Sequence, residues 1–90
     1  MKKWLIPVLL VAILGCAEQK EDAKAWYNKG VALSESGQNE EALKAFDKAI
    51  ELKPDYAEAW VKKSAVLLGL GRNEDAFKAS EKAKELRGQK

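Results

Sequence analysis

Residues 23–56 and 57–90 are two copies of one 34-residue segment. Laid over each other without gaps, the copies are identical at 15 of 34 positions. Trp26 and Trp60 match in this alignment, as do Gly37 and Gly71. A fixed period of this length is typical of a solenoid array, in which each unit buries its apolar face on a neighbour. The period therefore predicts two stacked copies of one supersecondary unit.

Each copy is predicted to form two helices joined by a turn. Between residues 40 and 53, apolar side chains recur mostly at steps of three and four residues. Gly37 and Gly71 are expected to end the first helix of each copy, since glycine adopts the left-handed cap conformation without strain. Asn39 and Asn73 are expected to N-cap the second helices. The sequence thus predicts four antiparallel helices, at about 23–36, 40–53, 57–70 and 74–87.

These residues resemble the tetratricopeptide repeat, whose pattern is W-x2-L-G-x2-Y, then A-x3-F, then P. The first copy meets the pattern with Trp26, Gly30, Ala42, Phe46 and Pro54. The resemblance implies an all-α fold of two tandem helix-turn-helix repeats, at 23–56 and 57–90, forming a right-handed solenoid fragment. The two tryptophans are then expected to pack between helices and not to stack on a ligand.

The second copy departs from the pattern. It has Ser64, Ser80 and Gly88 where the first copy has Gly, Phe and Pro, and Lys84 where the first has Ile. A terminal repeat must present a polar outer face. Ser80 and Lys84 are therefore expected to supply that face, which indicates that the array ends with this copy.

The first sixteen residues have the layout of a secretory signal. Lys2 and Lys3 precede the apolar run "WLIPVLLVAIL" at 4–14, and a small residue and the chain's one cysteine follow. A spanning helix needs about 20 apolar residues, so the run is short for a permanent span. The alternative is an uncleaved signal anchor with a free thiol at Cys16.

The segment Ile13-Leu14-Gly15-Cys16 resembles the lipobox of bacterial lipoproteins. The resemblance implies cleavage of residues 1–15, attachment of acyl chains at Cys16, and a lipid-anchored location on the extracytoplasmic side of a membrane of the cell envelope. With Ala17 next, it implies the outer membrane in a Gram-negative cell. Two or more chains hold a protein stably on a membrane surface, and residues 16–22 would form a short charged tether.

Composition excludes several classes of site. With one Cys and no His, neither a disulfide framework nor a His-containing metal site can form. The net charge of +2 gives no reason to expect nucleic acid as a partner. The acids at Glu40, Glu41, Glu74 and Asp75 lie at helix starts, where they suit the helix dipole, and form no catalytic pair. We expect no enzyme activity and no cofactor.

The resemblance implies that the first helix of each repeat lines a concave groove for a peptide or a partner helix. The predicted lining is Lys24, Tyr27, Val31, Ser34 and Glu35 in the first copy, and Glu58, Val61, Ala65, Leu68 and Gly69 in the second. Tyr27 and Val31 replace the Lys and Asn of the subclass that clamps C-terminal carboxylates. An apolar peptide or an amphipathic helix suits this lining. The predicted function is an adaptor that binds an unidentified protein near a membrane, or alternatively a structural lipoprotein whose homodimer completes the repeat stack.

Overall fold

The computed structural model describes residues 19–88, with side chains from 22 onward. Four helices form it: α1 (Gln19–Glu35), α2 (Asn39–Leu52), α3 (Ala57–Gly69) and α4 (Asn73–Leu86). Helices α1 and α2 pair within the first copy, α3 and α4 pair within the second, and α2 packs on α3 to join the copies. The predicted all-α fold of two tandem helix-turn-helix units is confirmed.

The predicted glycine ends of α1 and α3 are confirmed. Gly37 and Gly71 have φ of 81° and 80°, a region that favours glycine. The N–H of Gln38 donates to the carbonyl of Leu33 at 2.9 Å, and the N–H of Gly37 donates to that of Ser34 at 3.1 Å. The matching bonds in the second copy run from Arg72 and Gly71. Both ends are Schellman motifs, which satisfy carbonyls that the helix leaves open.

The helix starts differ from the prediction. Asn39 and Asn73 are the first residues of α2 and α4, so the N-cap positions fall to Gln38 and Arg72, and neither side chain makes a capping hydrogen bond. Asn39 instead faces α3: a Cβ built at Gly69 would lie 2.9 Å from its Nδ2. Asn39 therefore contributes to the contact between copies and does not cap its helix.

Helix α1 begins at Gln19, four residues before the predicted start at 23. Residues 19–22, expected in the tether, thus belong to the helix, since Gln, Lys and Glu are good helix formers. The predicted signal segment and Cys16 lie outside the described residues. Among residues 19–88, no helix combines the length and the apolar character needed to cross a membrane.

The core of the first copy is built around Phe46, which is fully buried with Ala42, Ala45 and Ala49 on the same helix. Its ring lies against Gly30 of α1, where an added Cβ would come within 2.6 Å of the ring. Gly30 is therefore required because the aromatic ring occupies the space of a side chain. This contact brings the two helices of the first copy together.

The second copy lacks both partners of that contact. Ser64 replaces the glycine and Ser80 replaces the ring, and both serines are half-buried. Because no ring approaches α3 there, a Cβ fits at Ser64. The alanines Ala76, Ala79 and Ala83 close α4 on its neighbours instead.

The two copies join through apolar side chains and one ion pair. Leu43 of α2 and Trp60 of α3 pack on the buried Leu67. The indole Nε1 of Trp60 donates to the carbonyl of Pro54 at 3.0 Å. At the edge, Lys63 Nζ lies 2.7 Å from Asp47 Oδ1. Trp60 is thus half-buried between the copies, as expected for a tryptophan that packs between helices.

Candidate functional site

The predicted groove residues lie on α1 and α3, which are the first helices of the two copies. Three of the four polar positions are at the surface: Lys24, Glu35 and Glu58 are exposed, whereas Ser34 is half-buried. The apolar positions divide into two groups with different surroundings. The group on α1 packs into the core, and the group on α3 is open to solvent.

Tyr27 and Val31 on α1 are half-buried and pack on the cluster formed by Phe46 and its neighbours. The ring centroid of Tyr27 lies 5.8 Å from that of Phe46 and 5.2 Å from that of Tyr56. Burial, and to a smaller extent Tyr27 and Glu58, raise the pKa of Tyr56 above 10.0. These aromatic contacts fix Tyr27, so only part of its ring remains for a partner.

An apolar stripe runs along the outer side of α3. Val61, Ala65 and Leu68 follow each other at steps of four and three residues, which places them on one helix face, and all three are exposed. Leu68 has 58% of its surface open and Val61 has 37%. Such a stripe offers the contacts that the apolar face of an amphipathic helix needs.

A second surface is the cavity of about 430 Å³ where the two copies meet. Leu43 and Asp47 from the first copy face Trp60, Lys63 and Leu67 from the second across it. The Nζ of Lys63 also lies 5.2 Å from the centroid of the Trp60 ring, within the range of a cation–π interaction. The cavity thus combines an apolar floor with charged edges.

The first copy has a related cavity of about 310 Å³, lined by Trp26, Lys29 and Leu33. These residues match Trp60, Lys63 and Leu67 of the second copy, 34 positions later. Lys29 lies 4.8 Å from the Trp26 ring, as Lys63 lies over Trp60. The two cavities differ mainly on one side. Leu43 and Asp47 line the cavity between the copies, and no described residue of this chain takes their places in the first-copy cavity.

Phe77 on α4 is an exposed aromatic residue that the sequence prediction missed. With 65% of its surface open, it lines a shallow cavity with Leu68 and Ser80. The predicted polar outer face is therefore polar only in part: Lys84 is exposed and Ser80 half-buried, but two apolar side chains interrupt them. The alignment contained the signal, because Phe77 matches Leu43, the residue by which the first copy contacts the second.

The polar and charged side chains of the described residues lie outside the core. No polar or charged side chain is buried between residues 22 and 88, and no group of potential ligands that could hold a metal occurs in that part of the chain. The acids at the helix starts are exposed or half-buried, and Asp75 pairs with Arg72 at 2.8 Å. A general acid must come within hydrogen-bond reach of the proton that it transfers, and these acids lie at solvated helix starts.

Comparison with known proteins agrees with the repeat architecture. Residues 23–56 and 57–90 each match a family model described as a tetratricopeptide repeat. The TPR repeat-containing protein MJ0941 of Methanocaldococcus jannaschii is 42% identical over 43 residues, which are 48% of this chain and 13% of that protein. The crystal structure of MamA matches with a TM-score of 0.71 at 29% identity, covering 73% of this chain and 39% of that chain. This chain therefore spans a minor part of both relatives.

Proposed function

Since the chain belongs to the tetratricopeptide repeat proteins, we propose that it is a lipid-anchored adaptor that binds a partner protein in its concave groove. Proteins of this repeat family serve as protein-interaction modules, and neither matched model indicates a catalytic class. The adaptor role, the groove residues and the anchor go beyond that shared property. Each rests on residues of this chain.

The exposed stripe of Val61, Ala65 and Leu68 carries the proposal for the groove. Isolated apolar residues are common on protein surfaces, but three in register along one helix face form a continuous contact strip. Lys24, Glu35 and Glu58 stand at the exposed polar positions of the predicted lining. A partner helix with an apolar face and charged flanks complements this arrangement.

Membrane anchoring rests on the sequence of the first sixteen residues. The basic start, the apolar run at 4–14 and the Ile13-Leu14-Gly15-Cys16 segment support acylation of Cys16. Helix α1 begins at Gln19, so an anchor at Cys16 would hold the repeat module close to the bilayer surface. The module would then present its partner to the envelope side of that membrane.

The anchor is tested by the intact mass of full-length protein extracted from membranes, beside a Cys16→Ser variant. The proposal predicts loss of residues 1–15 and added acyl mass in the wild type, with the acyl mass absent from the variant. A wild-type mass equal to the unmodified chain of 90 residues would overturn the anchor and leave the repeat module unaffected.

The groove is tested by photocrosslinking in intact cells, with a photoreactive residue placed in the full-length chain. Positions Val61 and Leu68 on the stripe are compared with Lys78, an exposed residue of α4. The proposal predicts a discrete adduct with a different protein from both stripe positions and none from Lys78. Equal labelling at all three positions would mean that the stripe does not select a partner.

A second candidate function is a structural lipoprotein that assembles with itself. One observation favours it: the positions that join the two copies inside the chain recur at its two ends, where the described residues leave them open. Self-assembly would use these end surfaces, of which only the one around Phe77 adjoins the stripe on α3, at Leu68. The two candidate functions therefore make separate predictions.

A further inference from the structure

We propose that a second copy of this chain docks head to tail, with Phe77 of one molecule seated in the Trp26–Leu33 cavity of the next. The contact would repeat, between molecules, the interface that joins the two copies within one molecule. The inference rests on the second candidate function and names its surfaces. We call the exposed first-copy surface formed by Ala25, Trp26, Lys29, Ala32 and Leu33 the leading face.

The leading face consists of positions that are buried when a repeat precedes them. Ala59 of the second copy is fully buried, whereas the identical residue at the matching position, Ala25, is exposed. Likewise Leu67 is 2% exposed, whereas its match Leu33 is half-buried. Identical residues at matching positions differ in burial because the first copy covers the second. The leading face therefore has the shape and chemistry of a surface that receives a repeat.

The opposite end of the chain, on α4, has the surface that would dock on the leading face. We call it the trailing face and define it by Phe77, Ser80 and Glu81 of α4. Within the chain, the matching residues Leu43, Phe46 and Asp47 of α2 all take part in the core or in the contact with the second copy. On the trailing face the apolar member, Phe77, is 65% exposed. An aromatic ring in this position is a strong candidate for an anchor residue, since aromatic side chains dominate the energetics of interfaces.

Side-chain volumes on the two end faces differ from those at the internal interface. Relative to the internal interface, the trailing face gains volume at Phe77, which replaces Leu43, and loses it at Ser80, which replaces Phe46. The leading face loses volume at Ala32, which matches the buried Val66. The larger ring of Phe77 therefore meets a face with more room. The room at Ala32 lets this ring enter the leading face without overpacking.

The charges on the two end faces are also complementary. Inside the chain Lys63 pairs with Asp47 at 2.7 Å. The matching residues are Lys29 on the leading face and Glu81 on the trailing face, so a stacked second copy brings a lysine and an acid to the same place. Lys29 already lies over the Trp26 ring in the arrangement that Lys63 has over Trp60. Opposite charges at these two sites would set the register of the docked copy.

Because the leading and trailing faces are different surfaces, the contact is heterologous. Heterologous contacts generate rings if the rotation closes and open arrays if it does not. In either arrangement each contact joins the leading face of one molecule to the trailing face of the next. Charge reversal on one face is therefore repaired only by a molecule with the opposite reversal on its other face.

The test uses the full-length chain in mild detergent, with association followed by sedimentation velocity and native mass spectrometry. Lys29→Glu and Glu81→Lys are prepared as separate proteins and as a 1:1 mixture. Each alone is expected to associate roughly tenfold more weakly than the wild type, because a like-charge pair replaces the ion pair. The mixture is expected to recover wild-type association, since each altered face meets its complement.

Two further variants keep the test decisive. Phe77→Ala removes the apolar anchor and is expected to weaken association by roughly ten- to a hundredfold, with unchanged helical content because the side chain is exposed. Lys62→Glu reverses an exposed charge on α3 outside both end faces and is expected to leave association unchanged. A wild-type chain that is monomeric throughout would overturn both the docking and the self-assembling function.

Other outcomes would contradict the head-to-tail contact but leave the self-assembling function intact. If the wild type forms dimers that neither charge reversal affects, self-assembly stands and the head-to-tail contact is wrong. If mixing fails to restore association, Lys29 and Glu81 do not face each other, and the head-to-tail contact is likewise wrong. A last variant replaces the apolar residues 4–14 by a polar segment. If this replacement strengthens association, residues 4–14 of the same chain cover the leading face in the wild type. That result would overturn the proposed docking between wild-type chains.

Discussion

The first copy closes its two helices around Phe46, whereas the second copy has Ser80 at that position and closes around small residues. Their outward surfaces also differ. In the first copy the apolar Leu43 is covered by the second copy, whereas in the second copy the matching Phe77 is exposed. Compared with the first copy, the second copy therefore has a smaller apolar core and a larger apolar side chain on its free face.

This difference separates two roles that one position can have in a repeat array. A ring at position 46 ties two helices of the same repeat together and requires Gly30 opposite. A ring at position 77 contributes little to its own repeat and is available to a neighbouring molecule. The most direct way to break the comparison is to remove each ring in turn.

Phe46→Ala is expected to cause the largest loss of stability. Truncating a fully buried aromatic residue costs about 3–5 kcal/mol, and Phe46 is 0% exposed. Phe77→Ala, the matched control, is expected to change the free energy of unfolding by less than about 0.5 kcal/mol. Urea unfolding of the full-length chain, followed by circular dichroism, measures both. Similar losses for the two variants would show that the copies do not differ as described.

Gly30→Ala is expected to have the next largest effect. An added Cβ would lie 2.6 Å from the Phe46 ring, and overpacking of this kind costs about 1–3 kcal/mol. Ser64→Ala at the matching position of the second copy is expected to be nearly neutral, since a Cβ is already accommodated there. Combining Gly30→Ala with Phe46→Ala should cost less than the sum of the two, because the clash is removed. Strict additivity would contradict a direct contact.

A third prediction compares the internal interface with the leading face, by reversing the charge of Lys63 in one variant and of Lys29 in another. Lys63 pairs with Asp47 between the copies, so its reversal is expected to lower the free energy of unfolding, by about 1 kcal/mol for a partly exposed pair. Lys29→Glu removes only the contact with the Trp26 ring and is expected to lower the free energy of unfolding by about 0.5 kcal/mol, measured at dilution where chains are separate. An equal loss of stability in both variants would place Lys29 in an intramolecular ion pair.

The smallest expected effect is the pH dependence contributed by Tyr56. Its pKa is raised above 10.0, mainly by burial, so the folded chain favours the neutral phenol. The corresponding stabilisation is complete below about pH 10 and is lost as the pH rises through the raised pKa. Thermal unfolding between pH 9 and 11 should therefore show a steeper decline for the wild type than for Tyr56→Phe. Parallel profiles would exclude this contribution.

Much of the fold follows from sequence periodicity. The 34-residue repeat predicts the number of helices, their pairing and the glycine ends at Gly37 and Gly71, because these features recur at fixed spacing and have strong local causes. Helix starts were predicted less well. Asn39 is a strong capping residue by propensity, yet its side chain faces Gly69 in the other copy, so a tertiary contact outweighs a local preference.

The candidate sites were only partly predictable. The stripe on α3 follows from the positions of Val61, Ala65 and Leu68, but the engagement of Tyr27 with Phe46 and Tyr56 depends on packing between helices. Phe77 does not stand out in the sequence, because Ser80 and Lys84 on the same helix indicate a polar face. Mapping each residue of the second copy onto its match in the first identifies Phe77 directly, since Leu43 stands at the internal interface.

The central claim is that the contact between repeats is used again between molecules, and the most direct measurement is a crosslink from position 77. Phe77 is replaced by a photoreactive benzoylphenylalanine in the full-length chain, cells are illuminated, and the crosslinked peptides are identified by mass spectrometry. We expect a covalent dimer in which position 77 is joined to residues 25–33 of the second chain. A dimer joined at residues 58–68 instead, or an adduct only with a different protein, would contradict it.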